Sequence, residues 1–117
     1  WDVIENLNSS ILENFRQMVL ELHGMTELSM RQKIISVLSK INEIHQLVWI
    51  HGNNYGQAEI AKGLLMPDSI EVLYARKDSY VFSDEAVNLP LQFDMPNDPI
   101  IKDFNFNPNS ILWDNMG

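Results

Sequence analysis

The groups best suited to chemistry in this sequence gather around one junction. Gln46-Leu47-Val48-Trp49-Ile50 reads as a buried strand and runs straight into His51-Gly52-Asn53-Asn54-Tyr55-Gly56, a polar and flexible cluster. In an open α/β sheet, the carboxyl end of a strand is where ligands collect. The ordinary pKa of an imidazole, about 6.5, suits His51 to remove a proton from a hydroxyl. On an earlier stretch, Glu21 and His23 stand two positions apart, so a strand would point both to one face, about 6.6 Å apart. Asn53 and Asn54 offer amides for substrate contacts, and Glu71 places a carboxylate near the start of a later strand. Each group also has a plain structural reading. His51 and the two Asn residues could be a turn tolerant of positive φ, Glu21 and His23 a solvated strand end, and Glu71 a partner for Arg76 or Lys77.

Other chemistries find little support. His45 and His51 flank one strand and stand about 20 Å apart, so they cannot share an ion. His23, His51 and Glu71 could form a two-His, one-carboxylate set, yet none has a tight ligand spacing, and no metal is expected. There is no Gly-x-Ser-x-Gly, no cysteine nucleophile and no phosphate-binding glycine loop. His45, at a helix exit where a cation suits the helix dipole, reads as structural. The methionines read as packing.

These residues need a scaffold, and composition bounds it. With 117 residues, 45% of them hydrophobic, the chain is read as one domain with a modest core. No run approaches the roughly 18 apolar residues of a membrane helix. A formal charge of −8 disfavours nucleic acid and anionic lipid as partners. The lack of cysteine excludes a disulfide framework and fits a reducing cytoplasm. The sequence opens at Trp1, inside what reads as a helix, and so looks like a piece of something longer.

In chain order, Trp1, Val3, Ile4, Leu7, Ile11 and Leu12 recur at helical spacing, broken at Asn8-Ser9-Ser10, where Ser10 and Glu13 suggest a capping box. Residues 17–23 read as a strand ending at Gly24. A second capping box at Ser29 and Gln32 leads into an amphipathic helix over about 30–44, carried by Met30, Ile34, Ile35, Leu38, Ile41 and Ile44. With 46–50 as the next strand, this makes a βαβ unit whose strands are parallel and whose crossover is right-handed. Gln57 to Leu65 reads as a short helix closed by Gly63 or Pro67. Residues 69–75 read as a strand, with Ser79 to Phe82 extending a hairpin. The α/β part therefore covers 1–87. From Asn88 to Gly117 runs an irregular tail, too apolar for disorder and expected to pack over the domain, with Leu91, Phe93, Ile100, Phe104, Phe106 and Trp113 among its Pro, Asn and Asp residues.

Four stretches resemble one family. Trp1-Asp2-Val3-Ile4 with the following helix, Val19-Leu20-Glu21-Leu22-His23-Gly24, Ile50-His51-Gly52-Asn53-Asn54-Tyr55, and Pro67 to Lys77 look like the C-terminal half of FkbM-type S-adenosylmethionine-dependent methyltransferases. Phe93-Asp94-Met95-Pro96-Asn97-Asp98-Pro99 resembles a tail segment of some members. The family's cofactor-binding parts, a Gly-containing turn and an acidic Asp-x-Glu-Gly-x-Glu stretch, would lie upstream of Trp1 and are absent. The resemblance implies an α/β fold with a three-layer, Rossmann-like methyltransferase sheet, of which this chain supplies the last strands, two parallel and one antiparallel. Strand 69–75 would run antiparallel between 17–23 and 46–50, gathering Glu21, His23, His51, Asn53, Asn54 and Glu71 along one rim. The implied activity is methyl transfer from S-adenosylmethionine to the hydroxyl of a small-molecule acceptor such as a sugar, with His51 and His23 catalytic and Glu21, Asn53, Asn54 and Glu71 binding the acceptor. The fragment alone would be inactive. Strand 17–23 would be left with a free edge, expected either to pair with a second copy or to be covered by the tail. The alternative function is a non-catalytic α/β binding or interaction domain using the same rim.

Overall fold

A computed structural model describes residues 1–61, 64–85 and 87–106. Gly63, Trp113 and the rest of the tail beyond 106 lie outside the described residues. The elements in order are α1 (Asp2–Asn6), α2 (Ser9–Leu12), β1 (Gln17–Leu22), a 3-10 turn (Leu28–Met30), α3 (Arg31–Ile44), β2 (His45–Gly52), β3 (Ala58–Ala61), β4 (Leu64–Pro67) and β5 (Ile70–Arg76).

The expected parallel, Rossmann-like sheet is not what the chain forms. Among the described residues every strand pairing is antiparallel: a three-stranded sheet in the order β1-β5-β2 and a separate β3-β4 pair. The last strand lies between the other two, so β1 and β2, which flank α3, never share a hydrogen-bonded ladder. A strand–helix–strand unit with an adjacent parallel pair is therefore absent from the described residues. The helix read over Gln57 to Leu65 is likewise a hairpin, pairing Ala58 with Pro67 and Ile60 with Leu65. Nine residues interrupted by a glycine are too few to hold a helix without a packed apolar stripe. Residues 79–82 form no strand.

One face of the three-stranded sheet carries the core. Met18 and Leu22 of β1 and Ile70, Val72 and Tyr74 of β5 point the same way, as strand alternation requires, and bury against Leu12, Val37 and Ile41 of the helices. The helical spacing is met in part: Ile34 and Ile41 of the expected stripe are buried, Val37 is buried outside it, and Ile35 is exposed. Its expected cap is not used. Met30 stands at the N-cap of α3 without a side-chain bond, because the 3-10 turn just before it carries the chain into the helix. At α2 the cap is Asn8, whose side chain accepts from the Ser10 amide, rather than Ser10 itself. Two lysines close helix ends from a distance. Lys40 donates to the carbonyls of Ile4, Glu5 and Leu7 at the end of α1, and Lys77 donates to that of Asn42 near the end of α3, cations where terminal carbonyls leave negative charge. His45 is wholly buried at the start of β2 and its Nε2 donates to the Phe15 carbonyl at 2.9 Å.

The opposite face is covered by something irregular. Residues 88–106 contain no helix or strand, and they hydrogen-bond to Trp49, His51, Asn54 and Glu71. Strand β2 reaches both layers because its register to β5 shifts between Leu47 and Trp49, a bulge that leaves Val48 unmatched. At the end of β2 the tail closes tightly. A Cβ built on Gly52 would stand 2.7 Å from Phe104 Cδ2 and 2.8 Å from Pro67 Cγ. Gly52→Ala should therefore cost about 1–3 kcal/mol, the usual range for overpacking, and a denaturant titration reads this. Unchanged stability would mean that the Phe104 ring does not close over Gly52.

Candidate functional site

Register decides which polar groups meet. Glu21 of β1 is paired with Glu71 of β5, and Glu71 with His51 of β2. The three side chains therefore form one row across the sheet, on the face turned from the core. His23 follows β1, Asn53 and Asn54 follow β2, and Ser69 precedes β5, so all lie at the same end.

His51 is the buried member, 2% exposed. Its Nε2 meets Asp103 Oδ2 at 2.9 Å and its Nδ1 faces Glu71 Oε2 at 3.5 Å. Its ring stacks on Trp49, two residues earlier on the same face, with centroids 5.9 Å apart. Burial pulls the imidazole pKa down, but the hydrogen bonds and charges of Asp103 and Glu71 outweigh it, so the net shift is upward. When doubly protonated, each ring nitrogen has a carboxylate to donate to. The second carboxylate oxygen of Glu71 accepts from Asn97 Nδ2 at 3.1 Å.

His23 is the open member, its side chain two-thirds exposed. Ser69 Oγ lies 3.1 Å from His23 Nδ1 and 3.4 Å from Glu21 Oε1, and His23 Nε2 is 3.7 Å from Glu21 Oε2. One proton assignment satisfies this set: His23 Nδ1–H donates to Ser69 Oγ, whose own proton goes to Glu21. Nε2 then keeps a lone pair at the surface, with a carboxylate close enough to stabilise the imidazolium that would form. Asn53 Nδ2 donates to the same Glu21 oxygen at 3.4 Å. The turn after β1 is held from below. Asp68 accepts from the Thr26 hydroxyl at 2.6 Å and from the Thr26 amide, and the Thr26 hydroxyl bond is the main cause of its lowered pKa.

Of the residues singled out in the sequence, Glu21, His23, Asn53, Glu71 and His51 meet at this rim. Asn54 stands apart from them. It is buried, its Nδ2 donates to the carbonyls of Asp98 and Ile101, and its Oδ1 accepts from the Asp98 amide at 2.7 Å. Its amide group is thus committed to the tail. Ser69 and Asp103 were missed. The pairing that brings Glu71 beside Glu21 also brings Ser69 near His23, so Ser69 was accessible to the same reasoning. Asp103 is 52 residues from His51 and carries no local signal. Among the described residues no group of three or more His, Asp or Glu is placed to hold a metal ion. Nor, among them, is any helix long and apolar enough to cross a membrane.

Comparison with protein-family models, with curated proteins and with solved structures yields no match. S-adenosylmethionine, implied by the family resemblance, can be tested against the glycines that would admit it. Gly52 is closed by Phe104, Pro67 and Phe106, Gly24 has the Glu27 side chain 3.6 Å from its Cβ position, and Gly56 has nothing within 4 Å. A close approach of a cofactor is thus ruled out at Gly52, and the family's own cofactor-binding glycine turn would lie upstream of Trp1.

The His51 bridge has a definite pH signature. A folded pKa raised above the unfolded value of about 6.5 stabilises the fold fully below that value, and the contribution is lost as pH rises through the higher folded pKa. Thermal unfolding measured from about pH 6 to about pH 9 should show the decline, and Asp103→Asn should flatten it. A decline of equal size in Asp103→Asn would remove the bridge as its cause.

Proposed function

We propose that this chain forms the acceptor side of an S-adenosylmethionine-dependent methyltransferase acting on a small-molecule hydroxyl. The observation that supports it best is the rim where His23, backed by Ser69 and Glu21, presents a free imidazole nitrogen to solvent beside Asn53. The four stretches that resemble FkbM-type enzymes contain each of these residues. On this reading the acceptor's hydroxyl donates to His23 Nε2, Glu21 stabilises the charge that results, and Asn53 orients the acceptor. His51, enclosed by two carboxylates, holds Glu71 and the tail in place rather than touching the acceptor. The methyl donor is bound by residues other than those described.

A second reading, a non-catalytic binding or interaction domain, draws on a different observation. The tail carries exposed apolar side chains, among them Phe93, Met95 and Ile100, and surfaces of that kind are used to meet partners.

Transfer of label from methyl-labelled S-adenosylmethionine to hydroxyl acceptors by the full-length protein separates the two. Methyl transfer should be measurable, and His23→Ala should lower turnover by about 10²- to 10⁴-fold, the usual contribution of a general base. Label transfer unaffected by His23→Ala would take His23 out of the mechanism. No transfer to any hydroxyl acceptor would leave the binding domain as the better reading.

A further inference from the structure

Across the rim face of the sheet the tail lies as a strap, residues 97–103, with no helix or strand of its own. Side chains of the sheet and its loops fasten it. Asn97 Nδ2 donates to Glu71, Asn54 binds the Asp98 amide and the carbonyls of Asp98 and Ile101, and Asp103 meets His51. The next residue, Phe104, closes over Gly52. Its amide donates to Asp103 Oδ1 at 3.0 Å, so the carboxylate that meets His51 also sets where that ring begins. Under the strap His51 is buried, whereas His23, at the same end of the sheet, is two-thirds exposed.

The fastenings differ in chemistry. Those of Asn54 and Asn97 join amides to backbone groups and to a carboxylate, none of which changes charge near neutrality. The His51 fastening does. Its ring nitrogens face two carboxylates, Asp103 Oδ2 at 2.9 Å and Glu71 Oε2 at 3.5 Å, a set that only the doubly protonated ring can satisfy in full. Among the described residues these two carboxylates are the charges that act on the ring, with Glu21 one strand further along the same row. His23 turns to Ser69 and Glu21 instead. Once the ring loses a proton, one nitrogen presents a lone pair to a carboxylate. Asp103 and Glu71, their side chains 16% and 32% exposed, are then part-buried anions with no cation between them, a costly arrangement. Glu71 is fixed in the middle strand, so the strap is the partner that can leave.

We propose that residues 97–103 are a pH-released strap: the doubly protonated His51 fastens it, and loss of that proton frees it and uncovers the His51–Glu71 half of the rim while the helix-packed core stays folded. The closed form holds the proton more tightly than the open one, so closure is favoured at low pH and weakens as pH rises. By linkage it weakens about tenfold for each pH unit passed between the pKa of the open form and that of the closed form. The core side is joined by the apolar contacts of Leu12, Val37 and Ile41, which carry no proton to lose. The strap would act in this way whether the rim transfers methyl groups or only binds a partner.

The test is an NMR titration of the full chain, labelled at methyl groups and at glycine, from about pH 6 to about pH 10. While the strap is closed, ring currents from Phe104 and Phe106 displace the Gly52 α-proton signals. With rising pH these signals and the Ile101 methyls should move to random-coil positions along the same curve as the His51 Cε1 proton, while the Val37 and Ile41 methyls stay in place. Asp103→Asn leaves no anion to be stranded, so in this variant the pH dependence of the strap signals should disappear, with the core methyls again reporting an intact fold. Strap signals that hold constant over the range in the unsubstituted chain would overturn the proposal. So would Val37 and Ile41 signals that move together with them, since the change would then be unfolding of the whole chain. A strap that titrates in Asp103→Asn as it does in the unsubstituted chain would overturn the part given to the His51–Asp103 fastening.

Discussion

The structure depends on β5 being paired along both edges. Among the described residues it bridges β1 and β2, which share no ladder with each other, and it carries Ile70, Val72 and Tyr74 into the core on one side. The same strand carries Glu71 to the other side, between Glu21 and His51. Core and rim are thus two faces of one strand's alternation. Anything that displaces β5 would lose both together. Antiparallel pairing on both sides also satisfies the backbone groups of the most buried strand, where unpaired donors and acceptors would be costly.

The two layers over the sheet are held by different forces. On the helix side the contacts are apolar, with Leu12, Val37 and Ile41 almost fully buried. On the tail side, apart from the Phe104 and Phe106 rings over Gly52, they are polar and charged. The Trp49 indole is shared between both oxygens of Asp94 at 3.2 Å, His51 is bound to Asp103, and Asn54 holds Asp98 and Ile101. A tail with few helix or strand hydrogen bonds of its own needs such partners for its backbone. Through His51 they also give this layer a sensitivity to pH.

What the sequence disclosed follows this division. The helix over about 30–44 and the strands at 17–23 and 69–75 were legible, because they rest on periodicity and on local motifs, whereas the antiparallel placement of 69–75 between its neighbours was implied by the family resemblance alone. The fold class was not. Parallel pairing was inferred from strand–helix–strand order, but order along the chain does not state which strands become neighbours, and here β5 separates the two. The hairpin at 58–67 was misread because its arms are four residues each, too short for a period of two to declare itself against a helical one. The meeting of His23 and Glu71 at one rim was expected only through the strand placement that the resemblance implied. Asp103, which sets the surroundings of His51, was invisible because only the folded tail brings it near.

The bulge at Val48 works as a change of reading frame in space. Before it, β2 residues and their β5 partners have numbers that add to one total, as in Leu47 with Tyr74. After it they add to the next, as in His51 with Glu71. Leu47 and His51 are four apart and in an unbroken strand would share a face, yet Leu47 lines an apolar cavity on the core side while His51 lies among carboxylates on the far side. The single unmatched residue lets one strand serve two chemically opposite environments. Were Val48 matched in the ladder instead of bulged, Ile50 would stand opposite Glu71 and His51 opposite Ile70, turning an imidazole toward the core, so the pairing of β2 carries as much information as its composition.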